Sequence, residues 1–164
     1  MLHFWRPPTE AGAVRRHDGM SSGAWLASRD GGTRYHAGLD FVAAPGEPVY
    51  APAQGVVTRL GRAYSDPAKA GYKLIEIRTA GCWLTRIMYI APAVRAHACV
   101  AAGDLIGHAQ NIAAAYPADD GTLPMTNHVH LDVRLARSRV LVGGIEPAER
   151  VFVDPNTLMG WCTS

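Results

Sequence analysis

The clearest pattern in the chain is the run His128-Val129-His130-Leu131-Asp132-Val133-Arg134-Leu135, in which polar and apolar residues alternate without a break. Successive side chains of a strand point to opposite faces. The run therefore predicts a β-strand with Val129, Leu131, Val133 and Leu135 on one side and His128, His130, Asp132 and Arg134 on the other. Shorter runs recur upstream: Leu39-Asp40-Phe41-Val42 stops at Pro45-Gly46, Val49-Tyr50-Ala51 stops at Pro52, and residues 56–60 form another. Residues 72–78 alternate in part, pause at Gly81 and lead into residues 82–90, where alternation puts Trp83, Thr85, Ile87 and Tyr89 on one face. Those two segments predict a hairpin. Residues 101–107 read as a glycine-containing turn feeding a short strand, 109–116 as one or two helical turns, and 117–126 as a polar loop. Residues 1–33 carry neither period and read as an irregular lead-in that wraps the core. Short strands punctuated by Gly and Pro predict an all-β fold with a small antiparallel core.

Composition narrows this without changing it. A chain of 164 residues fits one domain. Lys and Arg number 16 against 14 Asp and Glu, and 18% of residues are charged against 48% hydrophobic. That balance excludes a disordered chain and a strongly basic nucleic-acid binder. No stretch reaches the roughly 18 apolar residues of a membrane span, and the first residues lack the basic-then-apolar order of a signal peptide. Cys82, Cys99 and Cys162 have no paired spacing, which leaves room for one disulfide but not for a disulfide framework or a cysteine-based zinc ribbon. Seven histidines stand out in so weakly charged a chain.

Two pairs of residues could do chemistry. His36 and Asp40 are four apart, an even separation that keeps both side chains on one face of an extended segment, so they can converge on one ion or simply hydrogen-bond across a turn. His128 and His130 share the polar side of the predicted strand, either as its solvent face or as a ligand with a second imidazole close by. Together the pairs suggest a metal held by His36, Asp40 and one of the two strand histidines. Three protein ligands and one open position is the arrangement of a catalytic zinc.

The segments Tyr35-His36-Ala37-Gly38-Leu39-Asp40-Phe41, residues 44–57, the turn at residues 101–107, His128-Val129-His130-Leu131-Asp132-Val133 and Val153-Asp154-Pro155 resemble, in order, the blocks of the lysostaphin-type zinc peptidases of the M23 family. The resemblance runs from about Gly19 to Pro155, which sets the expected boundaries: an irregular segment over residues 1–18 and an M23-like domain over 19–164. It implies a small β-sheet core or sandwich with a groove, akin to a duplicated hybrid motif. It implies zinc on His36, Asp40 and His130, with His128 as general base. The implied activity is hydrolysis of peptide bonds in bacterial peptidoglycan. The implied setting is extracellular or directed to the cell wall, as a secreted protein or part of a phage particle.

The chain departs from that pattern at one place. Members of the family carry a further histidine on a central strand, where this chain reads Arg86-Ile87-Met88-Tyr89-Ile90-Ala91-Pro92. Tyr89 falls about where that histidine is expected. With Ser22-Gly23-Ala24-Trp25-Leu26-Ala27-Ser28-Arg29, this version resembles a tyrosine-containing subgroup that includes the vertebrate chemotactic protein LECT-two and related bacterial proteins. Tyr89 is then either a hydrogen-bond donor to a developing oxyanion or a core aromatic. His97 and His108 are candidates to fold back in place of the lost histidine, and Arg29 and Arg34 to contact an acidic stem peptide. The alternative to an enzyme is a catalytically weak or inactive zinc-binding module that recognises wall peptides or a protein partner.

Overall fold

A computed structural model describes residues 5–79, 83–118, 121, 123–135 and 152–159. In chain order the elements are β1 (Ser28–Arg29), β2 (Arg34–Tyr35), β3 (Leu39–Val42), β4 (Pro48–Tyr50), β5 (Gly55–Arg62), β6 (Lys73–Thr79), β7 (Trp83–Met88), β8 (Ile90–Pro92), β9 (Cys99–Val100), β10 (Leu105–Ala109), β11 (His128–Leu135), β12 (Phe152–Val153) and the short helix α1 (Pro155–Met159). The strands pair antiparallel throughout. One sheet runs β12-β11-β7-β6-β5-β9, with β3 pairing the first half of β11; a second runs β4-β10-β8; β1 and β2 form a small hairpin.

The alternation along β11 sorts two chemistries onto two faces. Val129 and Leu131 are fully buried with Ile87 of β7 and Ile75 and Ile77 of β6, and Val49, Ile106 and Ile90 of the three-stranded sheet close the same cluster, while Val133, equally buried, packs beside it with Trp5 and Ala53. Each such aliphatic side chain contributes about 1.5–3 kcal/mol through removal from water. On the other face Asp132, Arg86 and Glu76 stand opposite one another across β11, β7 and β6. Arg86 Nη2 meets Asp132 Oδ2 at 2.6 Å and Arg134 Nη2 meets Glu76 Oε2 at 3.0 Å. This polar side is buried rather than solvated: His128, His130, Asp132 and Arg134 are all below a tenth exposed. The solvent-face reading of the strand histidines is therefore excluded. Charges buried this deeply persist only when paired, and here they pair.

The lead-in wraps the sheets by backbone bonding. Val14 bridges Phe41, Val42 N donates to Ala13 O at 2.8 Å, and Tyr50 N donates to Pro8 O at 2.8 Å. The helical turns expected over residues 109–116 shrink to a single 3₁₀ turn, Ala113–Ala115. Tyr89 differs from its expected place. Its φ of 66° puts a non-glycine residue in the left-handed region, so β7 ends at Met88 and β8 begins at Ile90. Alternation breaks there, and Tyr89 leaves the face of Thr85 and Ile87 to pack with Ile112 and Met125. The glycine-containing strand is as expected, over Leu105–Ala109. Cys99 is an exposed thiol; Cys82 and Cys162, and with them the disulfide question, lie outside the described residues. No helix among the described residues is long and apolar enough to cross a membrane.

Candidate metal centre

The register of β3 against β11 builds the site. Asp40 lies directly opposite His130, and Leu39 opposite Leu131, so the apolar partners fix the alignment that makes carboxylate and imidazole meet. Gly38 permits the approach: a Cβ there would fall 2.6 Å from His130 Cε1 and against the Leu131 carbonyl. His36, just before, is held by Ala27 O, which accepts from His36 N at 2.9 Å. All three side chains are buried.

Their ligating atoms converge. His36 Nε2 lies 2.9 Å from His130 Nδ1 and 3.1 Å from Asp40 Oδ1, and His130 Nδ1 lies 3.0 Å from Asp40 Oδ1. Four-coordinate bonds of 2.0–2.2 Å would give edges of roughly 3.3–3.6 Å, so the triangle needs only slight expansion to take an ion. The outer atoms are committed in the way ligands require. His36 Nδ1 lies 2.8 Å from Ala24 O, which fixes the tautomer with Nε2 as lone pair. His130 Nε2 faces Asp132 Oδ2 at 3.5 Å, a carboxylate behind a histidine ligand. Two imidazole nitrogens and a carboxylate oxygen suit zinc. The donor set fits.

Charge is distributed accordingly. Burial opposes ionisation of Asp40, but hydrogen bonds with His130 and His36 and the nearby histidine charge overturn it and hold the carboxyl well below the usual range. Burial also disfavours charged His130, yet Asp132 and Asp40 on either side push it up to about 9. His128 lies across the site with Nε2 3.7 Å from Asp40 Oδ2, while its Nδ1 lies 2.8 Å from Thr126 O. Burial lowers its pKa, which keeps it neutral with Nε2 as the free base.

A file of phenols ends at Tyr89. Lys69 Nζ donates to Tyr116 OH at 3.0 Å, Tyr116 and Tyr64 are bonded at 3.1 Å, and Tyr64 OH donates to Tyr89 OH at 2.9 Å. An ammonium can only donate, so every donor in the file points toward Tyr89 and leaves its own hydrogen free. Burial pushes Tyr89 up to about 12, so the phenol stays protonated. Its ring meets that of His128 edge-on with centroids 5.5 Å apart.

All five predicted site residues, His36, Asp40, Tyr89, His128 and His130, line one cleft of about 990 Å³. Arg29, Arg34, Arg86 and Met125 line it too. His97 and His108 are exposed and outside its lining, so neither replaces the missing histidine. Sequence reading passed over Asp132, Tyr64, Tyr116, Lys69 and, in the lead-in, Arg15 and Asp18. Of these only Asp132 carried a signal, its same-side position two residues beyond His130. Arg15 binds Asp18 Oδ1 and Oδ2 through Nη1 at 2.7 Å each, and Asp40 Oδ2 through Nη2 at 3.0 Å.

Residues 34–141 match the model of peptidase family M23. The chain belongs to that family. The family is one of peptidases, and the His36, Asp40 and His130 cluster is of a kind that could hold a metal ion. Among solved structures, lysostaphin from Staphylococcus simulans, an antimicrobial peptidase, is 16% identical over 92% of this chain and 55% of that one, with a TM-score of 0.58. A zinc containing peptidase from Vibrio cholerae is 22% identical over 80% of this chain and 36% of that one, at TM-score 0.55. A candidate M23 peptidase from Pseudomonas aeruginosa is 20% identical at TM-score 0.57; it matches 98% of this chain, which spans only 51% of its length. At these identities the likeness is one of fold: antiparallel, lysostaphin-type. A comparison with curated proteins finds no significant match.

Proposed function

We propose that this M23 domain is a zinc-dependent endopeptidase that hydrolyses peptide bonds of bacterial peptidoglycan, and that it acts outside the cell or at the wall. The observation that carries the reading is the buried triangle of His36 Nε2, Asp40 Oδ1 and His130 Nδ1, with His128 Nε2 free beside it. These three side chains would hold zinc. When bound, zinc would polarise the scissile carbonyl and lower the pKa of water toward about 7.

The remaining work falls to the chain's own residues. His128, neutral and oriented by the Thr126 carbonyl, takes up a proton at Nε2 as nucleophilic water attacks and returns it to the leaving amine. Tyr89 directs its free O–H at negative charge developing on the carbonyl oxygen, and the Lys69–Tyr116–Tyr64 file polarises that O–H. This gives Tyr89 the part left open by the absent histidine. The cleft, with Arg29 and Arg34 on its wall, receives a peptide carrying carboxylates. We assign the peptidase domain to residues 19–164.

The test is purified peptidoglycan incubated with zinc-loaded protein and with His36→Ala. New amino termini released by the first and not the second are expected. Peptidoglycan bound by both but cut by neither would replace the enzyme with a recognition module.

A further inference from the structure

Asp40 has two carboxylate oxygens, and the site described so far uses one. The other is occupied from an unexpected quarter. Arg15, from the lead-in and outside the residues that match the family model, places Nη2 3.0 Å and Nε 3.3 Å from Asp40 Oδ2. Its Nη1 grips both oxygens of Asp18 at 2.7 Å and also Ser21 O at 2.9 Å. Its backbone N donates to Asp40 O at 2.7 Å, and Gly23 ties the two together, donating to Arg15 O and accepting from Asp40 N, each at 2.9 Å. Arg15 and Asp18 are themselves buried.

The arrangement is continuous with the opposite wall. Asp18 Oδ2 accepts from Thr126 N at 2.9 Å, and Thr126 O receives His128 Nδ1 at 2.8 Å. One guanidinium thus stands at the head of two chains of bonds, one ending on a candidate ligand and one on the candidate base. Exposed arginine partners would be screened and mobile; these are neither. A planar fork with five donors is the side chain that can hold two carboxylates at fixed angles.

We propose that Arg15 is a positioning residue that sequesters Asp40 Oδ2, so that Asp40 can offer a metal ion only Oδ1. A carboxylate free to use both oxygens would fill the position that a catalytic site keeps open. Arg29, with Nη2 3.7 Å from the same oxygen, stands behind it as a weaker second cation. The inference rests on the proposed zinc site but assigns a role to residues beyond it.

The test uses metal alone as the probe. Metal-free full-length protein, Arg15→Met, Arg15→Lys and Asp18→Asn are loaded with one equivalent of zinc or cobalt(II), and read by X-ray absorption and by visible absorption. Wild type is expected to show a low-coordinate shell and intense cobalt bands. Arg15→Met is expected to gain an oxygen neighbour and lose cobalt absorptivity severalfold. Arg15→Lys, whose single ammonium cannot span Asp18 and Asp40 together, is expected to shift the same way, and so keeps the question answerable if Arg15→Met does not fold. Asp18→Asn is expected to shift less. Spectra of Arg15→Met or Arg15→Lys identical to wild type would overturn the proposal. A wild type that takes up neither metal would instead sink the proposed function.

Discussion

Zinc binding should be strongly proton-linked. His130, pushed up to about 9 by Asp132 and Asp40, is protonated at pH 7 in the metal-free protein. A ligand imidazole must be neutral, so each zinc displaces a proton. Two pH units below the pKa, only about one molecule in a hundred has His130 neutral, which lowers the apparent affinity about 100-fold, or about 2.7 kcal/mol. The sign follows: affinity rises with pH, close to tenfold per unit between about pH 7 and 8.5, and levels off above 9. Calorimetry with chelator-buffered zinc, repeated at pH 7 in buffers of different ionisation enthalpy, reads the number directly, and about one proton released per ion is expected. Asp132→Asn removes the carboxylate behind His130 Nε2, so it should flatten the pH dependence and weaken zinc binding about 10–100-fold at pH 9, where the proton no longer competes. Pairwise loss of the two effects would be the signature of the carboxylate–histidine unit. Release of no proton at pH 7, with affinity flat between pH 7 and 9, would refute the reasoning.

The same group links pH to folding in the absence of metal. Because the folded pKa of His130 lies above the unfolded value of about 6.5, its contribution of about 3 kcal/mol is complete below pH 6.5 and lost as pH rises through 9, which denaturant melts of metal-free protein at pH 6 and 9.5 will show. His128→Ala should keep one zinc per chain while cleavage of peptidoglycan falls by about 10²–10⁴ in kcat; retained cleavage would remove it from the role of base. Tyr89→Phe should lower kcat by about 10²–10³ with KM little changed, and Lys69→Met should lower it by less, an effect that disappears in the Tyr89→Phe background; additive losses would break the link between the two. Gly38→Ala should cost zinc stoichiometry before it costs fold, since the added methyl meets His130 and the Leu131 carbonyl; metal analysis and circular dichroism separate the two.

The strands were legible where period and burial agree. Along His128–Leu135 alternation reported the apolar core side correctly, because Val129, Leu131 and Val133 answer to one sheet face. What alternation does not report is whether the polar side meets water or buried charge. That depends on Arg86 and Glu76 lying across β7 and β6, a register set by pairing between distant segments. Residues 1–33 had no period to read, yet Pro8, Ala13, Arg15 and Gly23 within that stretch bond to β3 and β4, because irregular backbone is fixed by hydrogen bonds that leave no repeat in sequence.

Tyr89 shows the same limit at the site itself. Its position in the chain marked it as the residue standing where a histidine is expected, but alternation assigned it to the hydrophobic face with Ile87. One residue in the left-handed region reverses that assignment and aims the phenol into the cleft. Such a conformation costs of order 1–3 kcal/mol for a non-glycine residue and persists only where its surroundings hold it. Here they do: Tyr89 N donates to Lys73 O, Gln110 N donates to Tyr89 O, and Tyr64 holds the hydroxyl. The strain therefore supports the proposed part of Tyr89 as a donor into the cleft, alongside its packing against Ile112 and Met125.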